Sequence, residues 1–117
     1  MLIHDVLRLA EMSKYVFHVP CLKYKDGRLV YNFYQECIDI MAKKLADIGV
    51  NGFYIIDAVG RYKMREYNEK LVIVFSDNES VADLFKQTCR ELHSELEQEV
   101  YAYERDNEIN FFEVDDK

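Results

Sequence analysis

Asp57 is the carboxylate in this 117-residue chain best placed to do chemistry. It sits inside Phe53-Tyr54-Ile55-Ile56-Asp57-Ala58-Val59, an otherwise apolar run. A carboxyl group in apolar surroundings is pushed toward its neutral form and can then serve as acid or base. The plainer reading is an ion pair with Arg61, on the same strand face, or simple exposure. His18, in Tyr15-Val16-Phe17-His18-Val19, is the second candidate. In the strand order expected below it lies two strands from Asp57, about 9–10 Å away. That is too far for a hydrogen-bonded dyad, although a substrate could sit between the two. A histidine with ordinary partners is the plainer expectation.

Other constellations are weaker. His93 and Glu97 are four apart on an expected helix and could touch one metal ion, but no third ligand accompanies them. A solvated helix face explains them equally well. His18 and Cys21 differ in strand parity and make a poor metal pair. There is no G-x-G-x-x-G, Walker loop, G-x-S-x-G or H-E-x-x-H. No metal and no cofactor is therefore expected, and the balance lies against an enzyme.

The charge balance narrows the partners. The formal net charge is −7 and the pI about 4.9. The nearest approach to a basic cluster, Arg61-Tyr62-Lys63-Met64-Arg65, is diluted by Glu66 and Glu69. Direct nucleic-acid binding is not expected. An acidic surface suits a basic protein, or the nucleic-acid groove of one, where carboxylates stand in for phosphates. It also simply keeps a protein dissolved. There are nine Tyr, seven Phe and no Trp. Tyr supplies contact area at low entropic cost. Tyr62, Tyr67, Tyr101 and Tyr103, lying among Glu66, Glu69 and Glu104, form the expected partner-binding set; core filling is the competing role for such rings.

The three cysteines, Cys21, Cys37 and Cys89, are odd in number and match no zinc or disulfide spacing. They read as small buried hydrophobes in a reducing compartment. The N-terminus mixes Asp5, Arg8 and Glu11 with its apolar residues, unlike a signal peptide, and no apolar run approaches membrane-spanning length. A cytoplasmic location is expected.

These residues must be positioned by a small set of elements within one domain. Leu2, Ile3, Val6, Leu7, Leu9 and Ala10 recur at helical spacing, predicting an amphipathic helix over 1–13. Tyr15 to Val19 reads as a strand that Pro20 ends or kinks, with Cys21 to Tyr24 continuing it and Asp26-Gly27 turning. Asn32 and Gln35 resemble a capping box for a helix that buries Phe33, Tyr34, Cys37, Ile38, Met41, Leu45 and Ile48 and stops at Gly49. A second strand spans 53–62, with Tyr54, Ile56, Ala58 and Tyr62 expected under the helices and Asp57 on the other face. Gly60 is a candidate bulge, and 63–70 a protruding polar loop. Leu71-Val72-Ile73-Val74-Phe75 is apolar without alternation, so both its faces should be covered. A second helix buries Val81, Leu84, Phe85, Thr88 or Cys89, Leu92 and Leu96. The last strand covers Val100 to Tyr103, Arg105-Asp106-Asn107 turns, and 109–114 could pair back as a hairpin arm.

Strand, helix, strand, strand, helix, strand is the order of a ferredoxin-like sandwich: an α+β fold with an antiparallel sheet and two helices on one face. The core is expected over 14–114, with strand order 4-1-3-2 and an acidic tail at 115–117. The open sheet face then needs a cover, either the N-terminal helix or a second subunit stacked sheet to sheet. From Tyr15 to Phe112 the layout resembles an uncharacterised family of small bacterial ferredoxin-like domains. The likeness rests on Asp57-Ala58-Val59-Gly60-Arg61-Tyr62 and on Leu92 to Val100, where a helix runs through Gln98 into a strand. That resemblance implies a fold and no activity.

Two functions are expected on these grounds. The first is a non-catalytic protein-interaction module of the kind used by small acidic phage or mobile-element inhibitors, anti-CRISPR proteins among them, against nucleic-acid-handling proteins; the analogy is one of size and charge. The second is a dimeric ferredoxin-like binder or enzyme of small molecules, with Asp57 and His18 facing a pocket on the open face.

Overall fold

The computed structural model describes residues 12–31, 34–62 and 64–114. The expected N-terminal helix, apart from its last two residues, the cap residue Asn32 with Phe33, and the acidic tail all lie outside the described residues. The elements run β1 (Ser13–Pro20), β2 (Leu22–Lys25), β3 (Arg28–Tyr31), α1 (Tyr34–Asp47), β4 (Tyr54–Tyr62), β5 (Arg65–Ser76), α2 (Val81–Glu91), α3 (His93–Leu96), β6 (Tyr101–Arg105) and β7 (Glu108–Phe112). The fold is mixed α+β. One five-stranded antiparallel sheet has the order β4-β5-β1-β6-β7, and β2 and β3 form a separate two-stranded sheet.

Local chemistry accounts for most boundaries. Asp26 and Gly27 both have positive φ (52° and 77°), as a two-residue hairpin turn demands, and they join β2 to β3. Asp106 and Asn107 (50° and 70°) do the same between β6 and β7. Helix α1 ends in a Schellman arrangement: Gly49 at φ 89° donates to the Ala46 carbonyl, and Val50 donates to that of Leu45. Ahead of α2, the Asn78 side chain accepts from the Ser80 N–H and hydroxyl, a local turn that starts the helix.

The sheet departs from the four-stranded expectation in several places. Residues 109–112 pair with β6 as a fifth strand at the edge. Residues 22–25 do not extend β1, whose ladder with β5 reaches past Pro20 to the Cys21 N–H on the Asn68 carbonyl; they fold into their own hairpin, because the Asp26-Gly27 turn reverses the chain. Residues 65–70 are not a loop. They begin β5, whose register with β4 runs unbroken from Tyr54↔Ile73 to Tyr62↔Arg65, and Gly60 faces Tyr67 without a bulge. The turn sits at Met64, with φ 65°. The expected second helix is interrupted at Leu92 and stopped by Glu97 in the left-handed region.

The core lies between the helices and one sheet face. Tyr15, Phe17 and Val19 of β1 and Val72 and Val74 of β5 are at most 1% exposed. They meet Cys37, Met41 and Leu45 from α1 and Phe85 and Cys89 from α2. Phe17 stacks on Phe85 with centroids 4.7 Å apart, and Phe85 meets Phe112 edge-on at 5.8 Å. Fully burying one such ring contributes about 1.5–3 kcal/mol. All three cysteines are free and buried. Burial pushes the Cys37 thiol up to about 12 and raises Cys89 further, so neither is a thiolate near neutral pH.

Candidate functional site

Register assigns every strand residue to a face, since directly opposed residues point the same way. Val19 is opposite Lys70, and Lys70 is opposite Asp57. Val19 is core, so Asp57 lies on the helix-bearing side. His18 is opposite Leu71 and Ala102, and Leu71 is opposite Ile56. His18 and Ile56 therefore share the open side. This reverses the expected faces of β4. The run from Tyr54 to Val59 is apolar at both parities, so its own pattern carries no face information. The pocket joining Asp57 to His18 does not form, because the sheet separates them.

Asp57 is instead exposed and bonded to Lys70. Arg61, its expected partner, bonds Glu66 at 2.6 Å. The two pairs sit on one face of the β4–β5 hairpin, as cross-strand neighbours.

The open face centres on His18. Its Nε2 lies 2.8 Å from Glu104 on β6, and its Nδ1 lies 3.3 Å from Glu69 on β5. Both ring nitrogens can donate at once only in the imidazolium form. The hydrogen bond to Glu69 raises the His18 pKa most, burial opposes it, and the bond to Glu104 raises it further. In its protonated form His18, held between two carboxylates, thus ties the three central strands together across this face.

Beside it runs an open groove of about 830 Å³, reaching from His18 and Glu69 past Tyr67 to Gln98 and Phe111. Lys23, at its rim, donates to the Glu95 carbonyl at 2.7 Å and pairs with Glu97 at 3.6 Å. Glu97 thereby belongs to Lys23. His93 meets the Tyr101 hydroxyl at 2.7 Å. His93 and Glu97 are not brought together as a metal pair, since the helix ends between them and their side chains have different partners. Among the described residues no group of three or more His, Cys, Asp or Glu is arranged to hold a metal ion.

The rest of the expected contact set divides. Tyr67, Glu69 and Glu104 come together on the open face around His18. Glu66 is exposed on the opposite side, with Arg61. Tyr101 is 2% exposed and stacks on Phe112, so its ring is core and not a docking group. Tyr103 packs against Phe17 and Phe112 under Lys86. The side chain of Tyr62 lies outside the described residues. Sequence reasoning passed over the large exposed apolar groups of the open face: Tyr54 (67%), Phe75 (50%), Ile109 (53%) and Phe111 (66%). A signal existed, since Tyr54 and Ile56, like Ile109 and Phe111, are two apart, as one face of a strand requires.

No family model, curated protein or solved structure matches this chain. No helix among the described residues is long and apolar enough to cross a membrane.

Proposed function

We propose that the chain is a non-catalytic interaction module that docks a protein partner on the open face of its sheet. One observation carries the reading: Tyr54 and Ile56 at one margin and Ile109 and Phe111 at the other stand exposed, with the Glu69–His18–Glu104 bridge between them. The margins are four strands apart, about 19 Å. Apolar groups flanking a charged strip are the ingredients of an interface with specific orientation. The net charge of −7 favours a basic partner, and the surface of a protein that handles nucleic acid is the class we favour, as for small mobile-element inhibitors. The buried free thiols support a reducing compartment such as the cytoplasm. Within the fold, β1 between β5 and β6 and two helices on one face support reading the core as ferredoxin-like.

Capture from a lysate of the source cells, at low and high salt, tests this with Tyr54→Asp and Phe111→Asp beside the wild type. A defined protein retained by the wild type, released by salt and lost in both variants supports the reading. A captured set that is unchanged in the variants refutes it. The groove beside His18 favours a second reading, a small-molecule site. Under that reading ligand-induced thermal shifts depend on His18 and Tyr67, not on Tyr54. Self-association of two open faces is a further use of the same surface, and Tyr54→Asp and Phe111→Asp would then abolish dimers in the purified protein.

A further inference from the structure

The outer edge of β4 is the feature left unexplained by the open face. Among the described elements β4 closes one end of the sheet and pairs only with β5. It is nine residues long, against five for β7 at the other edge. Edge strands are usually protected by brevity, Pro, charged side chains (Lys above all) or a bulge, and of these β4 has only the charges of Asp57 and Arg61. Strand β4 is long, contains neither Pro nor Lys, and has no bulge. It is apolar and exposed on both faces, with Ile55 at 48%, Ile56 at 49% and Val59 at 64%. Water can satisfy such an edge group by group, but another extended strand satisfies the whole row of in-plane N–H and C=O groups at once.

Its charges specify which strand. Lys70 and Asp57 are directly opposed, as are Glu66 and Arg61, all on one face. Antiparallel pairing of β4 with a second copy of itself, about a two-fold axis at Val59, sets Asp57 opposite Arg61 of the second copy, and Arg61 opposite its Asp57. Val59 then meets Val59. Each row across the seam reads Lys70, Asp57, Arg61, Glu66, with signs alternating. The axis at Asp57 would oppose acid to acid, and the axis at Ala58 would leave Asp57 opposite Val59. We infer that β4 is a homodimerisation edge, pairing antiparallel with β4 of a second copy in the register centred on Val59. The self-complementary charge pattern selects a second copy over a foreign strand. This edge lies in the plane of the sheet and borders the open face at Tyr54 and Ile56; the pairing does not depend on the partner proposed there.

Charge reversal tests the register. Asp57, Arg61 and Glu66 are mostly exposed, so Arg61→Glu and Asp57→Lys should stay folded; each also opposes a like charge within its own hairpin, to Glu66 or Lys70, and should lower the melting temperature by a few degrees only. Light scattering over a concentration series should show the wild type as a dimer. Each single variant places like charges at two symmetry-related positions and should raise the dimer dissociation constant at least about ten-fold. An equimolar mixture of Arg61→Glu with Asp57→Lys restores both opposite-sign pairs and should dimerise one to one. A monomeric wild type, a dimer indifferent to both reversals, or a mixture of folded variants that stays monomeric overturns the inference. Loss of partner capture in the Phe111→Asp variant bears on the open face and leaves this result untouched.

Discussion

Phe17 and His18 are neighbours in β1 with opposite surroundings. Phe17 is fully buried on the helix-bearing side, stacked on Phe85. His18 is half-buried on the other side, between two carboxylates, in a face whose margins are exposed apolar groups. One side of the sheet is held by area removed from water, which is large and nondirectional. The other is held by a charge bridge, which is smaller, directional and sensitive to pH. The contrast sets a side closed by burial against a side left open, and the proposed docking role falls to the second.

Three substitutions test that division. Phe17→Ala should cost about 3–5 kcal/mol of unfolding free energy, since it empties a filled core site. Denaturant melts measure it, and a cost under about 1 kcal/mol would remove the basis for calling this side the stabilising one. His18→Gln should cost about 1 kcal/mol below neutral pH, after allowing for partial solvent screening. The sign with pH is fixed by the raised pKa of His18. The folded state holds its proton more tightly than the unfolded state, so the bridge contributes fully below the unfolded value of about 6.5. That contribution is lost as pH rises from there through the folded pKa. Melts across this range should show stability falling with pH in the wild type, and the slope should shrink in His18→Gln; equal slopes would mean the bridge carries no linkage. Phe111→Ala should change stability by no more than about 0.5 kcal/mol, because its ring is already 66% exposed. A core-sized loss there would show that the open face is structural after all.

The periodic features were legible in advance. The stripe of Cys37, Ile38, Met41 and Leu45, the burial of Val81, Phe85 and Cys89, and the turns at Asp26-Gly27 and Asp106-Asn107 follow from spacing and from residues that tolerate positive φ. The polar stretch from Arg65 to Lys70 was harder. Its strand character comes from pairing with β4, including the Arg61–Glu66 and Asp57–Lys70 contacts, and composition alone reads as a loop. The Glu69–His18–Glu104 bridge was only half visible. Its carboxylates stood among the expected contacts and His18 among the chemical candidates, but nothing in the sequence joined them.

The chain's own order of residues suffices for α1, the body of α2, the hairpin turns and their core stripes, because each depends on neighbours a few positions away. It also settles that no reactive motif of recognised spacing is present. Which face Asp57 occupies, and what it binds, depended on a register with Lys70 thirteen positions away. The partners of His18 lie 51 and 86 positions from it. Such pairings arise only when the sheet closes, and a one-residue slip would have sent each side chain to the opposite face. Local pattern therefore built the strands, and their assembly decided which side of them meets the core and which side stays open.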